Sequence, residues 1–333
     1  MVKIVVDMMG GDNGATPTIA AVEKFLKDHD DVEIIAVGEE KVLEPLKGKV
    51  KIIPSTTIAP MECGALQAMR DKESSVYKAV SATISENADA VLSAGSTAAF
   101  LSLCTLIIKK IEGVDRPALI TQFPTLIKGK YVVILDVGAS SENSAKELYQ
   151  FAKIGEAYYQ AFYDKEHPNV YLLNNGTEEG KGNPITKETY SLLKGQENFR
   201  GYIEARYAFQ GEADVVVCDG FTGNIFLKGS EGMAKMMGTL MKQAFLSSTR
   251  AKLGYVFAKK GLAGMLDTMN YKKVGGALLI GVNKIAVKAH GNADEESFYG
   301  SLNVAYTSAK KQTVNKIKET LKLWDRLLNC LKN

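Results

Sequence analysis

Histidine is scarce in this chain. His29, His167 and His290 are the whole supply in 333 residues, and no GxSxG elbow accompanies them, so a Ser-His-Asp hydrolase triad has little to be built from. Cysteine is almost as sparse. Cys63, Cys104, Cys218 and Cys330 stand far apart with no CxxC or Cys/His cluster. That pattern argues against a disulfide framework or a structural zinc and makes a reducing cytoplasm the default compartment. Nucleotide fingerprints are missing too. No strand-like run leads into GxGxxG, and the segment from Gly176 to Gly182 is too short for P-loop spacing and lacks Ser or Thr after Lys181. A dinucleotide dehydrogenase and a P-loop NTPase are therefore disfavoured, and neither a cofactor nor a metal is expected.

Long apolar runs are also lacking. The one uncharged stretch of membrane length, Ala90 to Ile108, holds Gly95 and the hydroxyl residues Ser93, Ser96, Thr97, Ser102 and Thr105. It reads as a buried strand, a tight loop and a buried helix, not as a span. The opening MVKIVVDMMGG is too short in its apolar part for a signal segment and reads as the first strand. A net charge of +3 is too small to mark a nucleic-acid binder. Its distribution says more, because residues 1–227 carry 23 basic and 31 acidic groups whereas residues 228–333 carry 18 and 7. The basic last third suits an anionic membrane surface or an acidic protein partner.

Short β-branched runs recur at 3–7, 33–38, 50–55, 89–94, 118–123, 131–137, 169–175, 213–219, 277–281 and 284–290, with helical patterns between them. This alternation predicts an α/β protein with a mainly parallel sheet, and runs apolar on both sides fit strands covered by helices on both faces. Thr16 before Pro17 reads as a helix N-cap, and Ser144 with Glu147 as a capping box. From about Asn224 the pattern becomes long amphipathic helices. Ile225, Met233, Met236, Met237 and Leu240 mark the first, and Leu253, Val256, Phe257 and Leu262 the second. Core or dimer packing and membrane contact both remain open for this pair. A last amphipathic helix, with Ile317, Leu321, Trp324, Leu328 and Leu331 on one stripe, is expected to pack on the body. Residues 1–333 are read as a single α/β unit, with 224–272 as a helical subregion for dimer or membrane contact.

The runs end in loops of Gly, Asp, Asn, Ser and Thr: 7–14, 93–97, 136–140, 174–183, 219–224 and 290–294. In an open parallel sheet ligands sit outside the carboxyl ends of the strands, so the six loops are expected to meet at one sheet edge. Backbone N–H groups in such loops favour an anion, and phosphate is the first chemical reading. Any one loop alone is equally well explained as a strand-to-helix turn. His29 and His167 sit in charged surface stretches, and only His290, after an apolar run and before glycine, is placed for a site.

Taken together, VDMMGGD (6–12), SSVYKAV (74–80), LSAGSTAAF (92–100), RPAL (116–119), LDVGA (135–139), NGTEEGKGN (175–183), ADVVVCDGFTGNIFLK (213–228), GGALLIG (275–281) and KAHG (288–291) resemble the PlsX-type phosphate acyltransferases of bacterial phospholipid synthesis along nearly the whole chain. The resemblance implies a three-layer α/β/α sandwich related to the phosphotransacetylases and to the isocitrate/isopropylmalate dehydrogenase group. It implies a homodimer, cytoplasmic and peripherally bound to the inner face of the membrane. The implied reaction is acyl transfer from acyl carrier protein to inorganic phosphate, with the acyl phosphate passing to a membrane glycerol-3-phosphate acyltransferase. The family usually has histidine where Asn13 stands, asparagine where Ser96 and Ser140 stand, and serines where Asn292 and Ala293 stand.

The chemistry suits such loops. Phosphate is already nucleophilic and needs desolvation, alignment and stabilisation of the developing oxyanion and departing thiolate, not a metal or a covalent intermediate. Gly95, Ser96, Thr97, Asn175, Gly176 and Thr177 are expected to hold phosphate or the oxyanion, with charge from Lys181 and Lys228. Gly10, Gly11 and Asp12 are expected to form another wall. Asp219 would exchange a proton with the thiol or orient a donor, Asn224 would polarise the carbonyl, and His290 would assist the thiolate. Val256, Phe257 and Leu262 are the expected membrane contacts. Two other readings stay open: an acyl-CoA:phosphate acyltransferase of the phosphotransacetylase kind, and a non-catalytic scaffold on the membrane surface.

Overall fold

A computed structural model of the chain describes residues 1–268 and 275–331, with side chains described for all of these but 265–268 and 323–331. Eleven strands form one sheet: β1 (Val2–Asp7), β2 (Val32–Gly38), β3 (Lys51–Pro54), β4 (Ala90–Ser93), β5 (Ala118–Pro124), β6 (Tyr131–Leu135), β7 (Val170–Asn174), β8 (Phe199–Glu204), β9 (Val215–Val217), β10 (Ala277–Ile280) and β11 (Ile285–Lys288). Their spatial order is β3-β2-β1-β4-β11-β10-β5-β6-β9-β7-β8. Ten of them fall on the runs read from the sequence. The exception, β8, lies at the sheet edge.

The central strands bury both faces. Ile4 and Val6 of β1 face one apolar layer, and Val5 between them faces the other. The first layer is filled from α1 (Thr16–Asp28), α5 (Ala145–Tyr163), α6 (Pro184–Leu193), α9 (Glu295–Lys310) and α10 (Thr313–Leu331) by residues such as Phe25, Phe151, Leu193, Phe298 and Ile317. The second is filled from α2 (Ala65–Arg70), α3 (Ser75–Ser85) and α4 (Thr97–Leu103) by Ala68, Val76, Ala79 and Phe100. The result is an α/β/α sandwich. The uncharged stretch from Ala90 to Ile108 is β4, a tight loop, α4 and one π turn (Cys104–Ile108). Ser144 and Glu147 form the expected capping box of α5. The first helix is offset by a residue: Ala15 is its N-cap, and Thr16 already lies inside it.

The strands do not all point one way. β3, β2, β1, β4 and β11 form a parallel block, and β6, β9, β7 and β8 form a second parallel block. The seam β11-β10-β5-β6 has three antiparallel pairings, so the second block runs opposite to the first. The expectation of six loops at one edge is therefore corrected. Loops 7–14, 93–97 and 290–294 end strands of one block at one edge, while 136–140, 174–183 and 219–224 end strands of the other block at the opposite edge.

α7 (Gly220–Leu246) leaves β9 and continues into a hairpin with α8 (Thr249–Thr268). Beyond Gly220 and Gly223, no residue of α7 is buried. Met233, Met236, Leu240, Leu253, Val256 (67% exposed) and Phe257 (88% exposed) face outward, so these apolar positions are not core within this chain. Leu262 is set apart from Val256 and Phe257, in the groove between the two helices with Met241, Phe245 and Tyr255. Residues 269–272 of the expected helical subregion lie outside the described residues. α10 packs against α5, with Ile317 buried and Leu321 against the same core, while the side chains of Trp324, Leu328 and Leu331 lie outside the described set. No helix of the described residues is long and apolar enough to cross a membrane.

Candidate functional site

Three loops of the first block are tied to one another. Ser93 at the end of β4 donates to the Asp7 carboxylate at the end of β1 (2.6 Å) and accepts from Gly95 N–H (3.1 Å). Asp12 N–H donates to Gly291 C=O (2.7 Å), and the Asn13 amide donates to the carbonyls of Asn292 (3.0 Å) and Ala293 (3.2 Å). Gly10 lies so close to the next loop that an added Cβ would stand 2.6 Å from the Asp7 carboxylate and 2.7 Å from Gly95 N, a spacing only glycine permits. Ser96 is buried as the N-cap of α4, accepting from Ala99 N–H and donating to Cys63 C=O, while Thr97 beside it is exposed.

The opposite edge is organised by a buried carboxylate. Asp136 accepts from the N–H groups of Leu119, Gly138, Ala139 and Ser140 and from the Ser140 hydroxyl. Burial holds its pKa above the ordinary carboxylate value, and these donors oppose the shift without cancelling it. The Ser140 hydroxyl also meets Asn143, whose amide oxygen accepts from Gly220 N–H and so fixes where α7 starts. Asp219 caps α7, one carboxylate oxygen accepting from Thr222 N–H and the other from the Thr222 hydroxyl.

α7 bridges the two edges. At about 1.5 Å per residue its first turns carry the chain roughly 10 Å from Asn224 to Glu231. Asn224 packs against Gly138 of the second block, while Glu231 reaches His290 of the first (3.4 Å). The cleft so enclosed has a volume of about 480 Å³ and lies across the face of the antiparallel seam, walled by Leu119 and Thr121 of β5. Thr97, Thr121, Asn224, Lys228, Glu231, Lys288 and His290 supply its polar lining, and Asp12 lines the adjoining hollow.

Of the residues expected at the site, Asp12, Thr97, Asn224, Lys228 and His290 are thus brought together. Gly10, Gly11, Gly95 and Ser96 frame one side without lining the cleft. Asp219 sits at the base of α7 with both carboxylate oxygens engaged. Asn175, Gly176, Thr177 and Lys181 lie beyond β7 at the far edge, Lys181 folded over Gly176, and none of them lines this cleft. Of the other histidines, His167 is exposed and faces Glu197 (3.4 Å), but His29 is not simply solvated, since it stacks on Phe25 (centroids 4.1 Å).

Two charged lining residues were not read from the sequence. Lys288 ends β11, is only 8% exposed, and donates to the carbonyls of Ala94 (3.3 Å) and Ala289. Burial pulls its pKa down to about 8, against the pull of Asp7 and Asp12 in the other direction. Burial likewise raises Asp7, opposed first by the Ser93 hydrogen bond. Glu231 is the second. His290 itself is held below its ordinary pKa, chiefly by burial, with Lys288 and Lys228 adding to the effect and Glu231 opposing it. Its imidazole is therefore neutral at neutral pH. A lysine inside an otherwise apolar strand, two residues before that histidine, was the available signal. Among the described residues no group of three or more His, Cys, Asp or Glu is arranged to hold a metal ion.

A family model described as "Fatty acid synthesis protein" matches residues 2–316. The phosphate acyltransferase of Staphylococcus aureus strain bovine RF122 / ET3-1 is 40% identical over 324 residues, covering 96% of this chain and 98% of that protein. A phosphotransacetylase from Streptococcus pyogenes superposes with a TM-score of 0.60 at 19% identity, over 93% of this chain and 94% of its own. A branched-chain phosphotransacylase from Enterococcus faecalis V583 gives 0.58 at 14% identity, over 93% and 99%. At such identities the structural likeness is one of fold.

Proposed function

The chain belongs to the PlsX-type phosphate acyltransferases and is an acyltransferase with phosphate as acceptor, and from that premise we propose that its donor is an acyl carrier protein thioester and its product an acyl phosphate used by a membrane glycerol-3-phosphate acyltransferase. The observation that carries this reading is the composition of the cleft. Its polar groups are two threonine hydroxyls, an amide, two ammonium groups, an imidazole and a carboxylate, and none of its lining residues is serine or cysteine. Such a set suits binding and orienting phosphate, which is itself the nucleophile.

In the proposed step a phosphate oxygen attacks the thioester carbonyl. A C–O bond forms, the C–S bond breaks, and the electron pair leaves on sulfur as the carrier's thiolate, which takes, through water, the proton that hydrogen phosphate gives up on becoming the acyl phosphate. Lys228 and Lys288 hold the phosphate and Thr97 orients it. The Asn224 amide donates to the carbonyl oxygen as negative charge develops there. Neutral His290 donates an N–H hydrogen bond to the departing sulfur without giving up its proton. Asp219 acts by fixing the start of α7, the simplest role for a carboxylate with both oxygens engaged by Thr222.

The basic last third then serves acidic partners, the carrier protein and an anionic membrane surface. Met236 and Leu240 of α7 and Leu253 of α8 are assigned to a second copy of the chain in a homodimer, and Val256 and Phe257, midway along α8, to lipid. Light scattering reports the first. For the second, changing Val256 and Phe257 together to aspartate should abolish co-sedimentation with anionic vesicles, and unchanged co-sedimentation would overturn the assignment.

The activity itself is tested by release of carrier thiol from palmitoyl-acyl carrier protein with and without inorganic phosphate. Phosphate-dependent release with hydroxylamine-sensitive product is expected. Turnover of palmitoyl-CoA alone would transfer the reading to the coenzyme A thioester, and a folded protein inactive with both would leave the scaffold.

A further inference from the structure

Beside the polar cleft lies a second cavity of about 470 Å³. Its lining is mainly apolar, and Glu231 belongs to both. Two elements run from one into the other. On β5, Leu119 and Thr121 wall the cleft and Phe123, two residues further along the same face, enters the cavity. On α7, Asn224, Leu227 and Lys228 face the cleft, while Phe226, Met233, Ala234 and Met237 on the adjacent face line the cavity.

The floor is aromatic. Phe209 stacks on Phe226 with centroids 5.3 Å apart, and Phe123 meets Phe209 at 5.3 Å and Phe226 at 6.2 Å. Met233, Met237, Ala205, Ala234, Pro124 and the largely exposed Leu126 supply the rest of the apolar wall, and Thr125, Arg206, Ser230 and Glu231 its polar part. Methionine tolerates a flexible apolar guest better than branched side chains do.

We propose that this cavity holds the acyl chain of the donor while its thioester carbonyl lies in the polar cleft. The proposal rests on the acyl-transfer reading above and adds the location of the chain and the residues that set its length preference. A cavity of about 150 Å³ accepts a benzene ring of six carbons. On that scale the space here takes a chain of a dozen or more carbons, and a two-carbon acyl group would leave most of the aromatic floor bare. The site therefore selects long chains, because each methylene buried on Phe123, Phe209 and Phe226 adds apolar contact that a short chain lacks.

The test is the ratio of kcat/KM for palmitoyl- over butyryl-acyl carrier protein in the wild-type chain and in Ala234→Trp and Met237→Trp, each of which fills the cavity from α7. The ratio is expected to fall at least tenfold in both variants, and a ratio equal to wild type in both would overturn the proposal. Binding of free palmitate, measured by calorimetry on the same proteins, is independent of turnover. If the wild type turned over no donor yet bound palmitate at least tenfold more tightly than the two variants, the cavity assignment would stand and the activity reading would fall. Equal palmitate binding by all three proteins, in the absence of turnover, would remove both.

Discussion

Lys288→Met is expected to lower kcat/KM for phosphate at least a hundredfold, about 2.7 kcal/mol of transition-state stabilisation at roughly 1.36 kcal/mol per decade. The ammonium is nearly excluded from water at the end of β11, beneath the cleft and within the field of Asp7 and Asp12. There it presents a charge that solvent screens far less than that of exposed Lys228, so its removal costs the bound dianion more. Methionine keeps the length and apolar stem of the side chain, and burial already favours the neutral form of Asp7. The loss should therefore fall on catalysis more than on folding.

The alkaline limb separates these two effects. With a folded pKa of about 8, Lys288 loses its charge as pH rises through that value, and KM for phosphate should climb with it. The stability effect has the opposite sign. The unfolded chain holds this proton up to about pH 10.4, so between the two values it binds more protons than the folded state and stability from this group rises with pH. Wild-type enzyme should thus weaken for phosphate while its fold does not weaken on this group's account. In Lys288→Met the limb should vanish. A variant that kept the wild-type limb would show that another group titrates.

The strands were legible because burial on both faces leaves no polar residue to interrupt a run such as Ile4, Val5 and Val6, all three at zero exposure. β8 escaped for the converse reason. Phe199–Glu204 carries Arg200 and Gly201, sits at an edge, and buries only part of its length. The reversal between the two blocks escaped although a signal for it exists. Residues 125–130 between β5 and β6, and 281–284 between β10 and β11, are too short for the crossover of a dozen or more residues that a parallel connection needs. Each had to be a hairpin, and together they make the seam. Loop composition gave the site's chemistry but not which loops share a cleft, since that depends on strand direction. The 174–183 loop has the right residues at the wrong edge for this cleft. Lys288 and Glu231 were masked by their setting, one inside a strand and the other on an apparently solvated helix face.

Gly223→Ala is expected to destabilise the protein by about 3 kcal/mol, at the upper end of overpacking costs, and to reduce turnover with it. Helix propensity alone gives the opposite sign, since alanine is better than glycine inside a helix by about 1 kcal/mol. Packing decides the outcome. A Cβ at Gly223 would stand 1.9 Å from Asp136 C=O and 2.8 Å from Cys218 Sγ, and the backbone atom has little freedom to retreat, because the Asp136 carboxylate is held by five donors. The helix must move instead, and Asn224 is the next residue on it. Gly232, further along the same helix, has nothing within 4 Å of a built Cβ, so Gly232→Ala should stabilise by roughly 0.5–1 kcal/mol. Urea denaturation compares the pair, with midpoints moving in opposite directions at constant m. If both variants gained stability, the first turn of α7 would be adjustable, and the position of Asn224 in the cleft could no longer be explained by the contact between α7 and β6.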